Sequence, residues 1–177
     1  MSTQPRPFNI LDAKSRPITL RPETPDHNDF VNELYAITLR TTMPFDDLNL
    51  SPEEFIAIAA SQVKAQKSHY AIHYPEAEYS ILHRGDVAVG RLIVAPMDQA
   101  ILLADIMILP EHKGWGTCTA VMRHYVNDGL ASGRTIKLSV EKWNGAMDLY
   151  VREGFVVVGE ASTHYFMEYR GPDAKAS

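Results

Sequence analysis

The sequence predicts a single α/β domain, and two observations support that prediction. The chain has 177 residues, which is enough for one domain with a sizeable core and too few for two ordinary ones. Strand-like and helix-like runs alternate along it, and three consecutive strand-like runs near its middle indicate an antiparallel meander. We therefore expect strands and helices that pack as one unit around one functional site.

Composition and charge exclude several classes of protein. Hydrophobic residues make up 45% of the chain and charged residues 22%, which is ordinary globular composition. The net charge of -5 disfavours a partner held by its phosphate backbone, so no nucleic-acid partner is expected. The apolar runs fall far short of the ~20 residues of a membrane-spanning helix, and the single cysteine excludes an intramolecular disulfide. We expect a cytoplasmic protein with no membrane partner, and the histidine spacing supports no metal site.

The first part of the chain predicts a leader, one strand and two helices. Residues 1–16 mix proline, serine and charged residues and are expected to form a flexible leader. Ile18–Arg21 is a short β-type run, and Thr24–Asp26 supplies helix-start residues for an amphipathic helix. Ser51–Glu54 combines a capping hydroxyl, a proline and a capping-box glutamate. A second helix is therefore expected from there to about Tyr70.

The rest of the chain predicts the meander, two more helices and three more strands. The meander strands are Tyr79–His83, Val87–Val94 and Ala100–Leu109. The elements that follow are a helix that runs from Cys118 past Leu130 and stops at Gly133, a strand Ile136–Val140, a short helix that Asn144 can cap and that runs through Tyr150 and ends at Gly154, and two strands Phe155–Val158 and Tyr165–Tyr169. Residues 171–177 are expected to be a C-terminal tail.

A glycine-containing loop joins the third meander strand to the next helix. Backbone N–H groups at such a helix start attract phosphate oxygens, and glycine lets a ligand approach the backbone closely. The loop has neither the Gly-Lys-Ser/Thr ending of a Walker A motif nor the three spaced glycines of a dinucleotide fingerprint. The residues alone therefore leave two interpretations open, an anion site and a connection that uses glycine for its geometry.

Two motifs resemble the GNAT superfamily of N-acetyltransferases, over a stretch from about Ile18 to Tyr169. Lys113–Cys118 fits the family's [Arg/Gln]-x-x-Gly-x-[Gly/Ala] loop, with lysine in place of Arg or Gln and cysteine in place of Gly or Ala. Asn144–Phe155 resembles the second signature, Asn-x-Ala followed by Leu-Tyr and Gly-Phe. The chain looks most like poorly characterised bacterial members. The resemblance implies a GNAT-like domain over residues 17–170, with a mixed, mostly antiparallel sheet of six to seven strands, splayed between strands 4 and 5 and flanked by about four helices.

The resemblance also implies the reaction. It implies transfer of an acetyl group from acetyl-CoA, as co-substrate, to a primary amine of a small molecule or peptide, directly within a ternary complex. The backbone of Met107 and Ile108 would pair with the pantetheine arm, and a backbone N–H there would polarise the thioester carbonyl. The full set implied for binding acetyl-CoA is Met107, Ile108, Leu109, Lys113, Gly114, Trp115, Gly116, Thr117, Cys118, Thr119, Asn144 and Tyr150.

Tyr150 is the candidate general acid implied by the resemblance. The family places a tyrosine there with its hydroxyl near the CoA sulfur, and a phenol can protonate a departing thiolate. A core role suits the same side chain. Asn144 matches a position that contacts the cofactor arm, and a helix-cap role explains it equally well. Cys118 at a helix start suggests a lowered thiol pKa, although without a paired base packing is the stronger interpretation.

Two carboxylates compete for the role of general base. Asp105 lies in the strand that would flank the thioester, where burial would raise its pKa towards the working range. Glu141 ends the following strand and is the competitor. A salt bridge or a solvated edge is the alternative for each, and a water chain is the alternative to a base. Four polar residues recur at helical spacing in the second helix, as an acceptor wall or a solvent face: Gln62, Gln66, His69 and Tyr70.

Two other functions fit the same motifs. One is a non-catalytic CoA-binding or regulatory domain, in which the lysine and cysteine departures mark lost catalysis. The other is an acyltransferase that uses a longer acyl-CoA. The sequence does not name the amine acceptor, and it leaves a homodimer open.

Overall fold

A computed structural model describes residues 9–12, 14–42, 50–142 and 144–171. The strands are β1 Asn9–Leu11, β2 Pro17–Pro22, β3 Glu78–Arg84, β4 Val87–Pro96, β5 Ala100–Ile108, β6 Thr135–Glu141, β7 Phe155–Glu160 and β8 His164–Tyr169. The helices are α1 Asn28–Thr42, α2 Pro52–His73, α3 Thr117–Ser132 and α4 Met147–Arg152, with short 3₁₀ turns at Pro25–His27 and Pro110–His112. Within the described ranges, no helix is long and apolar enough to cross a membrane.

The strands form one mixed sheet in the order β1-β2-β3-β4-β5-β6-β8-β7. Every neighbouring pair is antiparallel except β5 and β6, which run parallel. The prediction of a mixed, mostly antiparallel sheet with four helices is confirmed. The sheet has eight strands rather than the predicted six to seven. The prediction missed β1, because this strand is only three residues long and gives no recognisable alternation in the sequence.

The β1 strand corrects the expectation for the N-terminal segment. Ile10 pairs with Ile18 of β2, and its side chain is buried. Asp12, directly after β1, is buried too and accepts hydrogen bonds from Arg16 and Arg84. Residues 9–12 and 14–16 therefore belong to the folded sheet rather than to a flexible leader; residues 1–8 and 172–177 lie outside the described ranges.

The sheet opens between β5 and β6. Their parallel register runs from Ala100 opposite Thr135 to Leu103 opposite Leu138 and stops there, although both strands continue. This opening is the predicted splay, displaced by one in the strand count because β1 precedes the strands that the sequence predicted. The end of β5 therefore has a partner in β4 but none in β6.

Helices cover both faces of the sheet. On one face, α3 packs on the central strands through buried Val121 and Met122, which join the main core. On the other face, α1 and α2 enclose smaller clusters, one of which joins Val31, Val63 and Ile81. The predicted capping box at the start of α2 is confirmed, because the Glu54 backbone N–H donates to the Ser51 hydroxyl at 3.2 Å and the Glu54 carboxylate accepts from the Ser51 N–H at 2.8 Å.

Candidate functional site

A cavity of about 730 Å³ lies where the sheet opens. Its walls come from the end of β5, the loop before α3, the first turn of α3 and helix α4. The cavity contains most of the predicted acetyl-CoA residues, with the exceptions of Leu109 and Trp115. The loop and the second motif, about 30 residues apart in sequence, thus face each other across one space.

The loop before α3 turns on two glycines. Gly114 and Gly116 have φ of 73° and 80°, a left-handed backbone that residues with a side chain rarely adopt. Gly116 is the N-cap of α3, and Thr117 is the first helical residue. The backbone N–H groups of the first turn of α3 have no partner within the helix, and the positive end of the helix dipole lies at this wall of the cavity. This wall therefore suits an anion such as a pyrophosphate.

Backbone alternation decides which β5 groups face the opening. The Leu109 N–H donates to the Val89 carbonyl of β4 at 2.9 Å. Hydrogen-bonded and non-bonded pairs alternate in an antiparallel ladder, so Met107, opposite Arg91, also pairs with β4. The N–H and C=O groups of Ile106 and Ile108 consequently point towards the splay. Of the two residues expected to pair with the pantetheine arm, Ile108 is placed for it, whereas Met107 contributes its side chain.

The charged residues that line this cavity are all basic. Lys113 lies at the loop as expected, and Arg152 of α4 lines the opposite side. His112 lines it as well, and no Asp or Glu belongs to the described lining. Lys113 and Arg152 are both exposed at the rim. The cavity is therefore electrostatically suited to a polyanionic ligand, consistent with the nearby helix start.

Cys118 lines the same cavity but does not have the environment of a nucleophile. Burial raises the pKa of its thiol to about 12, and the nearby Glu153 carboxylate adds to the shift. The lowered pKa suggested by the helix start is therefore wrong, because desolvation outweighs the helix dipole here. The thiol stays protonated and packs against the main core.

Trp115 and Leu109, both implied for acetyl-CoA binding, lie outside the lining of this cavity. Leu109 uses its N–H in the β4 ladder, as described above. The Trp115 ring lies against two guanidinium groups, with the Cζ atoms of Arg16 and Arg84 at 3.6 and 4.6 Å from its centroid. Neither residue lines the cavity. Trp115 therefore anchors the loop from behind.

A second cavity of about 400 Å³ lies on the other side of the opening. It shares part of its lining with the first cavity, namely Thr38, Ile106, Met107, Asn144 and Tyr150. Its two charged residues are Asp105 and Glu141, and no Lys or Arg belongs to the described lining. A cavity lined by basic residues and one lined by carboxylates therefore meet at a common wall.

Tyr150 stands at this common wall. The residue is 8% exposed, and its ring packs edge-on against Phe155 at 6.3 Å between centroids. Burial raises the pKa of its phenol, and the neighbouring Cys118 and Asp105 add to the shift. Among the described residues no hydrogen bond to its hydroxyl is formed. The side chain is thus both a core residue and a protonated hydroxyl at the junction, so the two interpretations of the sequence are compatible.

Asn144 lines both cavities and shapes the turn into α4. Its side-chain oxygen accepts a hydrogen bond from the Ala146 N–H at 2.9 Å. The N-cap of α4 is Ala146, two residues after the predicted cap, and the helix begins at Met147. The side-chain NH₂ of Asn144 remains available to the cavity, because the cap uses only the carbonyl oxygen.

Asp105 belongs to a hydrogen-bonded network under α2. The Gln66 amide NH₂ donates to its carboxylate at 3.3 Å, and the Gln66 carbonyl accepts from Arg91 at 2.9 Å. Arg91 is fully buried and bound to Glu23 at 2.6 Å. Because a guanidinium only donates, this contact fixes which end of the Gln66 amide faces Asp105. Burial raises the pKa of Asp105, partly offset by the Arg91 charge and the Gln66 hydrogen bond.

Glu141 differs from Asp105 in having no fixed partner. Among the described residues its carboxylate forms no hydrogen bond and no ion pair. It is half-buried at the end of β6 and lies close enough to Asp105 to raise the pKa of that carboxyl. A salt bridge is therefore not what holds Glu141 in the described structure.

The four polar residues singled out on α2 divide into two pairs. Gln66 and Tyr70 line the acidic cavity, and the Tyr70 hydroxyl donates to the Ala104 carbonyl at 3.3 Å. Gln62 and His69 are exposed and lie outside it. One pair therefore lines the cavity and the other pair faces solvent, on different sides of one helix.

Sequence reasoning missed several lining residues. His112, Tyr35 and His164 line the cavities without belonging to either motif, and Arg152 lies within the second motif but at none of its signature positions. Arg91 was also missed, although an arginine within the apolar run of β4 was a detectable signal, since a buried charge requires a partner. The others come from positions that only the tertiary fold brings to the opening.

The chain is similar to known proteins in its structure rather than in its sequence. No protein-family model matches the chain, and no curated protein matches its sequence. Among solved structures, the PaiA N-acetyltransferase from Thermoplasma acidophilum, in complex with coenzyme A, is similar with a TM-score of 0.63 and 14% identity; the match covers 86% of this chain and 98% of that one.

Two further solved structures agree. An acetyltransferase from Thermus thermophilus has a TM-score of 0.62 at 18% identity, over 87% of this chain and 96% of that one. A GNAT-family acetyltransferase from Listeria monocytogenes has a TM-score of 0.59 at 17% identity, over 91% and 98%. The eight-stranded mixed sheet, its opening between β5 and β6 and these three neighbours together show that the chain has the GNAT acetyltransferase fold, which confirms the resemblance found in its sequence.

Proposed function

We propose that this protein is an N-acetyltransferase that moves an acetyl group from acetyl-CoA to a primary amine within a ternary complex. The observation that carries the proposal is the pair of cavities with opposite charge that share the wall at Tyr150. The basic cavity suits the phosphates of an acyl-CoA, and the acidic cavity suits an amine that arrives as a cation. Both ligands would reach the same wall, which direct transfer requires.

The acyl-CoA would bind along the open edge of β5. The first turn of α3 and Lys113 would hold the pyrophosphate, with Arg152 adding positive charge from the other side. The exposed N–H and C=O groups of Ile108 and Ile106 would pair with the amides of the pantetheine arm. One of these N–H groups would then lie near the thioester carbonyl, where it stabilises the negative oxygen of the tetrahedral intermediate.

The acceptor would enter the acidic cavity as an ammonium ion attracted by Glu141. It must lose a proton before its nitrogen can attack the thioester carbon. We assign this proton to Asp105, because Gln66 orients its carboxylate and burial raises its pKa towards that of an effective base. Glu141 remains the competing base, and the pH profile of an Asp105→Asn variant distinguishes the two.

Collapse of the tetrahedral intermediate breaks the C–S bond and releases the CoA thiolate. Tyr150 would donate its hydroxyl proton to that sulfur, and the raised pKa of the phenol keeps it protonated until then. The products are an amide and CoA as the free thiol. The nitrogen gives up a second proton to solvent as the amide forms. The proton balance closes when the proton taken up by Asp105 returns to the phenolate through solvent, so that each turnover of an ammonium acceptor releases one net proton.

Ligand binding tests the first half of the proposal. Acetyl-CoA should raise the melting temperature of the protein, because a ligand that binds only the native state stabilises it. Gly116→Asp should abolish the shift by placing a carboxylate at the phosphate site. Gly133→Asp is the matched control, because Gly133 also has a positive φ, of 70°, but lies at the far end of α3. A folded protein with no shift at millimolar acetyl-CoA would contradict the proposal.

Turnover tests the second half. CoA release should be measured with acetyl-CoA and longer acyl-CoAs against primary amines that carry a second positive, a neutral or a negative group. Acetyl transfer favouring cationic amines is expected from the acidic lining. Binding of acetyl-CoA without any turnover would support a non-catalytic CoA-binding domain. Faster turnover with longer acyl-CoAs than with acetyl-CoA would support an acyltransferase that uses a longer acyl chain.

A further inference from the structure

The start of α3 is braced from behind by three side chains. Arg84 donates one hydrogen bond to the Thr117 hydroxyl oxygen at 2.7 Å and another to the Asp12 carboxylate at 2.5 Å. The Asp12 side chain is fully buried and that of Arg84 is 11% exposed. The three residues come from the β1–β2 turn, the end of β3 and the first residue of α3. This brace therefore connects the N-terminal hairpin to the candidate phosphate site.

Asp12 is held as a carboxylate within its own turn. Its oxygens accept from the backbone N–H groups of Lys14 at 2.8 Å and Arg16 at 3.0 Å, and from the Arg16 guanidinium at 2.9 Å. Burial opposes the charged form, but these bonds and the one from Arg84 together lower the pKa of Asp12 well below its usual range. The position of the Arg84 guanidinium is thereby fixed by a charged and rigid partner.

The brace also reaches the loop through Trp115. The Arg16 and Arg84 guanidinium groups both lie against its ring, and Trp115 stands between the two left-handed glycines of the loop. The loop backbone is consequently anchored on the side away from the cavity. Arg84 therefore contacts both the loop, at Trp115, and the start of α3, at Thr117, and Arg16 joins it at Trp115.

The hydrogen-bond direction at Thr117 points to a ligand. Thr117 is 3% exposed and lines the basic cavity. A guanidinium has no acceptor, so the Thr117 oxygen must accept from Arg84, and its own proton is left to donate elsewhere. Among the described residues no acceptor for that proton lies within hydrogen-bond distance. A buried donor without an acceptor is costly unless a ligand supplies one.

We infer that Asp12 and Arg84 are positioning residues that turn the Thr117 hydroxyl towards a phosphate oxygen of bound acyl-CoA, so that Thr117 is a side-chain donor of the phosphate site. This inference rests on the proposed function, since it assumes that an acyl-CoA occupies the basic cavity. The chain from guanidinium to hydroxyl to anion strengthens each bond, because each donor is polarised by the one before it. The N-terminal hairpin thereby becomes part of the cofactor site.

Two substitutions at Thr117 test the donor. Thr117→Val keeps the shape and removes the hydroxyl, and it should weaken CoA binding by about tenfold to a hundredfold, the loss expected for a hydrogen bond to a charged group. Thr117→Ser restores the hydroxyl and should restore most of the affinity. With acetyl-pantetheine, which lacks the phosphates, the three proteins should differ far less in kcat/KM than they do with acetyl-CoA. Equal CoA affinity in the valine and wild-type proteins would overturn the inference.

A double-substitution cycle tests the positioning role. Arg84→Gln should weaken CoA binding more in the wild-type background than in the Thr117→Val background, where only its contact with Trp115 is left to lose. Equal effects in both backgrounds would show that Arg84 acts by another route. Thr19→Val is the matched control in the same hairpin, since it removes an exposed hydroxyl that bonds only to Asn9. Where Arg84→Gln fails to fold, the valine and serine pair decides alone.

The inference and the proposed function fail in different ways. Wild-type protein that binds no CoA would remove the proposed function. Wild-type protein that binds CoA with an affinity insensitive to Thr117→Val would remove only the inference.

Discussion

Replacement of Tyr150 by phenylalanine removes one oxygen atom at the junction of the two cavities. The ring would keep its edge-on contact with Phe155 and its place in the main core. No hydrogen bond to the hydroxyl is formed among the described residues, so the substitution leaves no partner unsatisfied. We expect the free energy of unfolding to change by less than about 1.5 kcal/mol, the usual limit for a volume-conserving core substitution, which corresponds to roughly 6 °C or less in melting temperature.

The effect on catalysis should be far larger. If the Tyr150 hydroxyl protonates the departing CoA sulfur, Tyr150→Phe should reduce kcat by roughly 10²- to 10⁴-fold. The interaction exists only as the C–S bond breaks, so kcat and kcat/KM should fall together while the KM for acetyl-CoA stays close to that of the wild type.

Steady-state release of free CoA thiol, measured alongside thermal unfolding, separates these effects. A stable variant with full activity would refute the general-acid role and leave only the packing role of the ring. A raised KM at unchanged kcat would instead assign the hydroxyl to substrate binding. Tyr125→Phe is a suitable comparison, because Tyr125 is another tyrosine of the main core whose pKa is raised by burial but which lines neither cavity.

Three further perturbations have expected outcomes. Asp105→Asn should lose activity, yet it should raise the melting temperature at neutral pH. Because the folded-state pKa of Asp105 is raised, ionisation of this carboxyl destabilises the native state as the pH rises above the ordinary value of ~3.9. The gain in melting temperature should therefore vanish in thermal scans near that pH. Asp12→Asn should lower the melting temperature at neutral pH, because it removes the charge that balances buried Arg84 and so lowers the free energy of unfolding by about 3–5 kcal/mol. Since the folded-state pKa of Asp12 is lowered, the difference in stability between wild type and variant should shrink below about pH 4. Gly90→Ala should destabilise the fold and weaken CoA binding measured by calorimetry, because a Cβ there would lie 2.4 Å from the Met107 carbonyl oxygen and would displace the end of β5. Gly159→Ala is the control and should have neither effect, because its Cβ would meet only a side-chain atom, at 3.6 Å.

The sequence predicted the elements well where the local code is strong. The capping box at Ser51, the glycine that ends α3 and the alternation of the meander each specify structure within a few residues, and the corresponding elements are present. The N-cap of α4 was placed two residues early, at Asn144 instead of Ala146, because the Asn144 side chain caps the turn before the helix.

The N-terminal hairpin was mispredicted for a physical reason. Asn9–Leu11 offers one buried side chain, Ile10, and a strand of three residues has no periodicity to detect. What fixes it is non-local: pairing with β2 and the contact of Asp12 with Arg84, 72 residues away in sequence. A polar segment with a buried carboxylate has the composition of a flexible leader, and only the partner reveals the difference.

The candidate site was predictable in its loop and not in its walls. The Lys113–Cys118 motif identified the end of the cavity that we propose for the phosphates, since glycine spacing reports a backbone requirement. The direction of Trp115 and of the Met107 backbone follows from packing and from strand register, neither of which the motif encodes. The acidic cavity combines residues of α1, α2, β5 and β6 that have no shared spacing in the sequence. The sequence therefore named its two carboxylates as candidate bases but did not indicate that they line one cavity.

The opening of the sheet explains how one strand serves both cavities. Because β6 leaves β5 after Leu103, the last residues of β5 present their backbone to a ligand instead of to a neighbouring strand. Asp105 and Ile108 are three residues apart, which is about 10 Å along an extended strand. In the proposed complex Ile106, next to Asp105, would hold the end of the pantetheine arm nearest the base, and Ile108 would hold the arm farther along, which keeps the phosphates beyond it away from the acidic lining. A single strand would thus set the spacing between base, thioester and phosphates, and Tyr150 of α4 closes the junction of the two cavities from the opposite side.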